Sequence, residues 1–371
     1  MRSFFISLCL IFSAPSVFAV QDLCQTQHCV GIVDVGSTGS RLFLYTYDRD
    51  EAGYPIHIQE QWSKKVTPGL STLDLQQEKI DAYLDELFST QINSKIPVYV
   101  YATAGMRLHS NAKQQEYYRA VEQWFNAHST SWTLVDAKTI TGKEEGIYGW
   151  LAVNYKIDSF SHQSAEQVGV MDMGGASVQV VFSVNDAVTL PSAHIEKVTI
   201  YGKTYTLYAY SALGLGQTLV TQQFLNHSAC YPRDYLLADK EKASGDAFSC
   251  VKDIAHLVND VHHISEEVSP LVNKKTRDWY AMGGVTYTAR GALFNFNDSF
   301  MPEQLFQATQ QNACSRTWSE VFLDAPNDGD MACLMGSYYY ALMVEGYGIS
   351  TKERLSLMPD AGWTLGVVLS L

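Results

Sequence analysis

Several common enzyme motifs are missing from this 371-residue sequence. It has no GxSxG elbow, which argues against the serine triad of an α/β-hydrolase. It has neither a GxxxxGK[ST] loop nor a GxGxxG turn that opens a helix, so the usual phosphate-loop and dinucleotide fingerprints are absent. No CxxC pair occurs and the ten histidines show no paired ligand spacing. These two absences argue against a structural zinc site.

Excess positive charge and long apolar runs are also missing. The chain has 26 basic residues against 39 acidic ones, a net charge of −13, which argues against nucleic-acid binding through a basic surface. An anionic ligand would have to be attracted locally, by backbone amides and a bound cation. Beyond the N-terminus no run reaches the roughly 18 apolar residues of a transmembrane helix. The length and a hydrophobic content of 46% suffice for two globular domains.

The first 19 residues predict a signal peptide. Arg2 supplies the positive start, residues 4–12 the apolar stretch and residues 17–19 a small-residue cleavage site. The alternative is an N-terminal membrane anchor, but the apolar stretch is too short to span a bilayer comfortably. We therefore expect a soluble, exported mature protein, secreted or periplasmic, with no membrane span after cleavage.

Cysteine usage agrees with export. Six cysteines remain once Cys9 leaves with the signal peptide, and an even number in an exported chain predicts disulfides. Six cysteines allow 15 connectivities. We favour the pairs that close the shortest loops, namely Cys24–Cys29, Cys230–Cys250 and Cys314–Cys333.

One short phrase occurs twice in the chain. Residues 30–43 read VGIVDVGSTGSRLF and residues 168–182 read VGVMDMGGASVQVVF. Each copy is an apolar strand, an Asp-x-Gly, a turn of small residues and a second apolar strand. The aspartates Asp34 and Asp172 lie 138 residues apart in the numbering, which suits one lobe of a duplicated two-lobe protein.

The two small-residue turns are candidate phosphate sites. A turn of Gly and Ser exposes backbone N–H groups that form a concave nest for phosphate oxygens. Taken singly, each turn is also compatible with an ordinary hairpin, and the repetition is what favours phosphate. Asp34 and Asp172 are candidate anchors for a divalent cation, acting through water because Mg²⁺ keeps several waters. Their alternative role is to cap turn amides.

Hydrolysis of a phosphate also needs a group that deprotonates water. Glu144 and Glu145 lie at the start of a helix predicted over 142–155, and adjacent helical residues point about 100° apart. Only one of them is therefore expected to face a cleft. The alternative role of the pair is to stabilise the helix N-terminus, and the residues alone leave both questions open.

The rest of the chain alternates between strand and helix patterns. Strands are predicted at 30–35, 41–48 and 97–102, and helices at 75–92 and 112–127. This alternation predicts an α/β lobe. The apolar segment 363–371 is expected to return and pack on the first lobe.

Taken together, five ordered blocks resemble the apyrase family, the nucleoside triphosphate diphosphohydrolases. They are VDVGSTGSRLFLY at 33–45, YATAGMR at 101–107, TGKEEGIYGW at 141–150, MDMGGASVQV at 171–180 and YAMGGVTYT at 280–288. The resemblance implies an α/β, actin-like two-lobe fold of duplicated RNase-H-like domains, with the active site in the interlobe cleft. We assign residues 24–142 plus 350–371 to lobe I and residues 143–349 to lobe II.

The resemblance also implies roles for individual residues. Glu145 would be the base, Ser177 and Gln179 would place the attacking water, and Thr103 would contact the terminal phosphate. Asp34 and Asp172 would bind metal-ligated water, with Ca²⁺ or Mg²⁺ as the cation. The phosphates would be held by Ser37, Thr38, Gly39, Ser40, Gly174, Gly175 and Ala176.

Substrate choice is less determined by these motifs. The family implies nucleotide substrates such as ATP, ADP, GTP, GDP and UDP, and we expect a monomer. Gly39-Ser40 stands where membrane-anchored animal members usually carry His and Thr, which resembles soluble and plant-type members and leaves the tri- or diphosphate preference open. Tyr338 is a candidate for stacking on the base, with a core role as the alternative.

Three rival functions use related patterns. An exopolyphosphatase of the same superfamily shares DxGS-type loops, but export and disulfides argue against it. A same-fold sugar kinase needs an ATP supply that exported compartments lack. A catalytically inactive nucleotide-binding or adhesion protein would not need Glu145, Ser177 and Gln179.

Overall fold

The computed structural model describes residues 24–90, 92, 94–128, 131–160, 166–184, 192–272 and 277–371. The predicted signal peptide at 1–19 lies outside the described residues. Within these ranges no helix has both the length and the apolar character that a membrane crossing requires.

In the described chain, the first half forms a sheet of five strands in the order β3-β2-β1-β4-β5. Apolar residues alternate along these strands, and the helices cover one face of the sheet, where the side chains form a continuous core. The strands are β1 (His28–Val35), β2 (Ser40–Arg49), β3 (Pro55–Val66), β4 (Ile96–Ala102) and β5 (Trp132–Thr139), and the helices are α1 (Gln77–Leu87), α2 (Ala104–Arg107) and α3 (Asn111–Ala127).

The second half forms a sheet of seven strands in the described residues, ordered β11-β12-β10-β6-β7-β9-β8. Its strands are β6 (Gly169–Met173), β7 (Ser177–Ser183), β8 (Ile195–Ile200), β9 (Lys203–Leu213), β10 (Trp279–Gly283), β11 (Ser299–Phe300) and β12 (Leu355–Leu357). The helices of this half are α4 (Gly142–Lys156), α5 (Gln217–Gln223), α6 (Ala247–His256), α7 (Ile264–Glu267), α8 (Ser269–Val272), α9 (Gly284–Arg290), α10 (Pro302–Ala308), α11 (Trp318–Asp324), α12 (Gly329–Tyr340) and α13 (Trp363–Leu369).

Both sheets repeat the same central arrangement. In the first, β1 pairs antiparallel with β2 and parallel with β4. In the second, β6 pairs antiparallel with β7 and parallel with β10. A helix begins directly after β4 and directly after β10. The duplicated phrase therefore forms the same hairpin in two equivalent positions.

Helix α4 lies between the two sheets, in a core that both of them share. It packs against the C-terminal helix α13, where a Cβ atom on Gly366 would lie 2.0 Å from the Tyr148 carbonyl oxygen. Helix α13 also touches β1 and β3, and Thr364 hydrogen-bonds to Tyr45 of β2 at 2.8 Å. The C-terminal segment thus contacts the first sheet, as predicted, and the connecting helix as well.

The three predicted disulfide pairs are confirmed. Cys24–Cys29, Cys230–Cys250 and Cys314–Cys333 are each bonded. The last two pairs are fully buried and link the helical layer that covers the second sheet.

Candidate active site

A cavity of about 320 Å³ lies between the two hairpin loops. The β1–β2 loop contributes residues 36–39 and the β6–β7 loop contributes residues 174–176. Most of the predicted site residues line this cavity: Asp34, Ser37, Thr38, Gly39, Ser40, Thr103, Glu145, Asp172, Gly174, Gly175, Ala176 and Ser177.

The two loops have the same internal geometry. The Gly36 N–H donates to the Gly39 carbonyl at 3.0 Å, and the Gly174 N–H donates to the Ser177 carbonyl at 3.1 Å. In the ladder Asp34 is opposite Arg41, and Asp172 is opposite a residue at the same spacing, Gln179.

The loops also touch each other across the cavity. A Cβ atom built on Gly175 would lie 2.6 Å from Ser37 Oγ and 3.9 Å from Thr38 Cγ2. Glycine at position 175 leaves room for the Ser37 and Thr38 side chains to lie this close to the second loop. Asp34 and Asp172 therefore face one common crevice.

The second loop turns its amides away from helix α5. The carbonyls of Gly174 and Gly175 accept the Gln217 and Thr218 N–H groups at 2.9 and 2.8 Å, and the Ala176 carbonyl accepts from Gly214. In a trans peptide the following N–H points opposite to the carbonyl. The N–H groups of Gly175 and Ala176 thus point away from the side that α5 occupies, as a phosphate nest requires.

The first loop holds its residues in a different way. The Ser40 N–H donates to the Tyr83 hydroxyl at 3.1 Å, so this amide is already used. The Ser40 Oγ is buried and, within the described ranges, has no hydrogen-bond partner. Thr103 is tied to the same loop because its N–H donates to the Val35 carbonyl at 3.1 Å. Ser40 can therefore serve a ligand through its hydroxyl.

The two aspartates share a strongly unfavourable electrostatic setting. Burial raises the pKa of Asp34 to about 7, with the Glu145 charge adding to it and Arg41 opposing it. Burial raises the pKa of Asp172 to about 7 as well, and Glu145 and Asp34 add to the shift. Like charges gathered in a buried site disfavour ionisation, so the site as it stands has too few positive charges.

A hydrated divalent cation fits this donor set. Asp34 Oδ1 is buried and has no partner among the described residues. A Cβ atom on Gly283 would lie 2.7 Å from Asp172 Oδ1, so glycine keeps that oxygen accessible. No three His, Cys, Asp or Glu side chains of the described chain converge closely enough to hold an ion directly. The arrangement suits an ion that keeps its waters, as Mg²⁺ does.

The two glutamates in the first turn of α4 make different contacts. Glu144 closes a capping box with Thr141: its carboxylate accepts the Thr141 N–H at 2.7 Å and its own N–H donates to Thr141 Oγ1 at 3.1 Å. Glu145 points to the cavity instead and is 8% exposed. Of the two, Glu145 alone is available for chemistry at the cavity.

Glu145 is held by groups from both sheets. Arg107 forms an ion pair with Glu145 Oε2, and Gln179 Nε2 donates to the same oxygen at 3.2 Å. Burial raises the pKa of Glu145, and the Arg107 charge opposes the shift. Gln179 Nε2 also lies 2.8 Å from Ser177 Oγ and 3.1 Å from Ser211 Oγ. These contacts bring together the three residues to which the motifs gave base and water-placing roles.

Tyr338 does not line the cavity, so its proposed stacking on a base has to be corrected. It is 0% exposed, and its hydroxyl donates to the Leu215 carbonyl. Because no face of the ring is free, it serves the core, which was the alternative. The aromatic residues that line the cavity are Phe43, Tyr287 and Trp363, and Tyr287 is 73% exposed.

The sequence prediction missed these aromatics and also Arg107 and Gln217. Tyr287 and Arg107 lie inside two of the five blocks, and Trp363 begins the apolar segment 363–371. Nothing in the spacing of these residues separates a site residue from a core residue. Trp363 contributes a hydrogen bond that lowers the pKa of Asp34 against the effect of burial.

Comparisons of the sequence with known proteins found a matching family and named relatives. The family model for GDA1/CD39 (nucleoside phosphatase) proteins matches residues 21–371. The chain is 25% identical over 413 residues to ectonucleoside triphosphate diphosphohydrolase 3 of Homo sapiens, covering 92% of this chain and 77% of that protein.

Solved structures share the fold. Nucleoside triphosphate hydrolases from Neospora caninum superpose with a TM-score of 0.66 at 15% identity, covering 95% of this chain and 94% of that one. A Ppx/GppA family member from Aquifex aeolicus superposes with a TM-score of 0.54 at 18% identity, covering 93% and 97%. The predicted actin-like two-lobe α/β fold is confirmed.

Proposed function

Because the chain belongs to the GDA1/CD39 (nucleoside phosphatase) family, we propose that it is an exported apyrase. It removes the terminal phosphate from nucleoside tri- and diphosphates and ends at the monophosphate, with water as the nucleophile. The observation that carries the proposal is the meeting of two equivalent small-residue loops over one buried glutamate. We propose that lobe I is residues 24–142 plus 358–371 and lobe II is residues 143–357, with the cleft between them. The sequence placed residues 350–357 in lobe I, but β12 (Leu355–Leu357) pairs with β10 in the second sheet.

The loops bind and orient the phosphate chain. Ser37, Thr38 and Gly39 present donors from one side, and Gly174 to Ala176 present amides from the other. The Thr103 and Ser40 hydroxyls add donors near the terminal phosphate. Phosphoryl transfer passes through a loose transition state, so the protein mainly positions groups and stabilises charge. Donors already fixed by the strands do this without reorganisation during the reaction.

Asp34 and Asp172 would hold a Ca²⁺ or Mg²⁺ ion through its waters. When bound, the ion neutralises phosphate charge and relieves the repulsion between the carboxylates. The chain offers no direct ligand cage among the described residues, so we expect the cation to enter with the nucleotide. Removal of divalent cations with EDTA should abolish turnover.

Glu145 takes a proton from the attacking water. The water oxygen forms a bond to the terminal phosphorus while the bridging P–O bond breaks, and the shortened nucleotide leaves with the electron pair. Ser177 and Gln179 hold the water in line, since Gln179 lies within hydrogen-bond reach of both Ser177 and Glu145. No phosphoenzyme forms in this series of reaction steps.

Glu145→Gln tests this role. General-base help contributes roughly 10²–10⁴-fold, so turnover should fall by about that factor while nucleotide binding stays largely intact. Near-wild-type turnover in this variant would remove Glu145 from the reaction. Nucleotide binding by calorimetry shows whether the variant still holds its ligand.

The nucleoside lies on the open side of the cavity. The exposed ring of Tyr287 offers a planar apolar surface there. It takes the base-stacking role that the sequence suggested for Tyr338. Stacking on an aromatic ring tolerates different bases, which fits a substrate range that includes ATP, ADP, GTP, GDP and UDP. The three disulfides support a secreted or periplasmic setting, and the proposed state is a monomer.

A phosphate-release panel tests the whole proposal. The purified protein is given ATP, ADP, GDP, UDP, AMP and long-chain polyphosphate, each with Ca²⁺ or Mg²⁺. We expect release from tri- and diphosphates and none from AMP. Release from polyphosphate alone would favour the rival exopolyphosphatase, whose superfamily shares this fold. No release from any compound would leave a catalytically inactive nucleotide-binding protein.

A further inference from the structure

Arg107 is a buried cation at the edge of the site to which no role has been given. It does not line the cavity, and its side chain is 14% exposed. Its guanidinium reaches from α2, at the end of the first sheet, to Glu145 on α4. We infer that Arg107 is a positioning residue, which fixes the orientation of the Glu145 carboxylate and favours its ionised form. The inference rests on the proposed function.

The packing around Arg107 suits a positioning role. Its helix is packed against the first loop, because a Cβ atom on Gly105 would lie 2.7 Å from Ser37 Cα. The guanidinium also lies against the start of α4, where a Cβ atom on Gly142 would be 2.6 Å from Arg107 Nη1. The helix that carries Arg107 therefore packs against the first loop through Gly105, while Arg107 itself contacts Glu145.

The contacts of Arg107 separate the two oxygens of the carboxylate. In the described chain, Arg107 and Gln179 both donate to Oε2, which leaves Oε1 to accept the proton from water. The contact from Arg107 Nη2 to Oε2 comes from a planar guanidinium, whose donors have more fixed directions than the point charge of a lysine. Loss of this contact should let the carboxylate rotate between orientations.

Among the charged groups around Glu145, Arg107 is the cation that favours the ionised carboxylate. Asp34 on β1 and Asp172 on β6 are both anionic neighbours that couple to Glu145, and Gln179 on β7 is neutral. Arg41 and Lys65 act on Asp34. Arg107 is the group that favours the ionised form of Glu145 against burial, so its removal should raise the pKa of Glu145.

The experiment compares Arg107→Gln, Arg107→Lys, Glu145→Gln and the double variant Arg107→Gln/Glu145→Gln. Arg119→Gln serves as the matched control, because Arg119 lies on the exposed face of α3 and its Nε donates to the Gln115 carbonyl of the same helix. Each is assayed for kcat and KM from pH 5 to pH 9 at saturating Ca²⁺, with the best nucleotide of the panel. Melting temperatures report folding.

For Arg107→Gln we expect kcat to fall by about 10²-fold, the loss typical of misplacing a reacting group, with KM little changed. In the pH profile of kcat, the acid limb should move to higher pH. Arg107→Lys should return the acid limb to its wild-type position but recover only part of kcat. In the Glu145→Gln background, removal of Arg107 should cost little more, because Arg107 acts through the carboxylate that is already gone.

Five outcomes decide the matter. Equal multiplicative losses in both backgrounds, or an unmoved acid limb in a folded Arg107→Gln protein, would overturn the inference and leave a merely structural ion pair. A rise in kcat would overturn it too, since the pair would then restrain the base. If the wild type releases no phosphate at all, the proposed function fails instead, and the two failures stay distinct. A lowered melting temperature with the expected non-additivity still supports positioning.

Discussion

Gly175→Ala tests whether the two phosphate loops must touch. A Cβ atom at this position would lie 2.6 Å from Ser37 Oγ and 3.3 Å from Thr218 Oγ1. Real Cβ atoms essentially never come closer than 3.0 Å to another heavy atom. Either the Ser37 hydroxyl must rotate out of its place in the first loop or the loops must separate by at least about 0.4 Å, the difference between those two distances.

That displacement is large on the scale of catalysis. A misplacement of 1 Å can cost about 10²-fold, so 0.4 Å should lower kcat/KM about tenfold, which is about 1.4 kcal/mol of transition-state stabilisation. The assay is phosphate release from the preferred nucleotide with Ca²⁺ or Mg²⁺, under conditions that report kcat/KM.

Two further variants make the test specific. Ser37→Ala removes the clashing oxygen, so Gly175→Ala/Ser37→Ala should be no worse than Ser37→Ala alone. Gly149→Ala is the matched control, because its nearest contact would be an ordinary 3.5 Å to Met282 Sδ. In a helix interior this change should stabilise by roughly 0.5–1 kcal/mol and leave activity unchanged. Full activity in Gly175→Ala, or losses that multiply in the double variant, would refute the proposed loop contact.

Three other predictions follow from the same structure. Burial raises the pKa of Asp34 and Asp172 from 3.8 to about 7, so between these values the folded state binds more protons than the unfolded chain and stability falls as pH rises. Without divalent cations the melting temperature should be higher at pH 5 than at pH 8, and the difference should shrink when both are changed to Asn; an unchanged difference would contradict the assignment. Tyr287→Ala should raise KM for ADP but not for tripolyphosphate, and an equal rise for both would exclude a base contact. Replacing Cys230 and Cys250 with alanine opens a loop with a sequence separation of 20 and should lower the free energy of unfolding by about 3 kcal/mol; denaturant titration measures this, and an unchanged midpoint would show that the bridge adds nothing.

The repeated phrase made much of the site predictable. A buried strand followed by Asp-x-Gly and small residues is a local pattern, and it forms the same hairpin in both sheets. The two aspartates and most loop residues could therefore be named before their positions were known. The three disulfides were predictable for a similar reason, since short loops close most easily.

Other residues depended on contacts between distant parts of the chain. Physical reasoning from the sequence left open whether Glu144 or Glu145 faces the cleft, and the family resemblance favoured Glu145. The capping box that Glu144 forms with Thr141 supports that choice. Arg107 was invisible as a partner of Glu145, because no local pattern pairs an arginine with a glutamate 38 residues away. Tyr338 was misassigned because a run of tyrosines suits a core and a binding surface equally well.

By itself, the sequence determined the fold class, the family, the disulfide pairs and the positions of the two small-residue loops, because each depends on a local pattern of residues. The choice of Glu145 over Glu144 also came from the sequence, through the family resemblance. Only the tertiary structure decided which tyrosine is exposed at the cavity and which cation pairs with Glu145. These depend on the packing of two sheets around one helix, and packing between distant segments leaves no periodic trace in the chain.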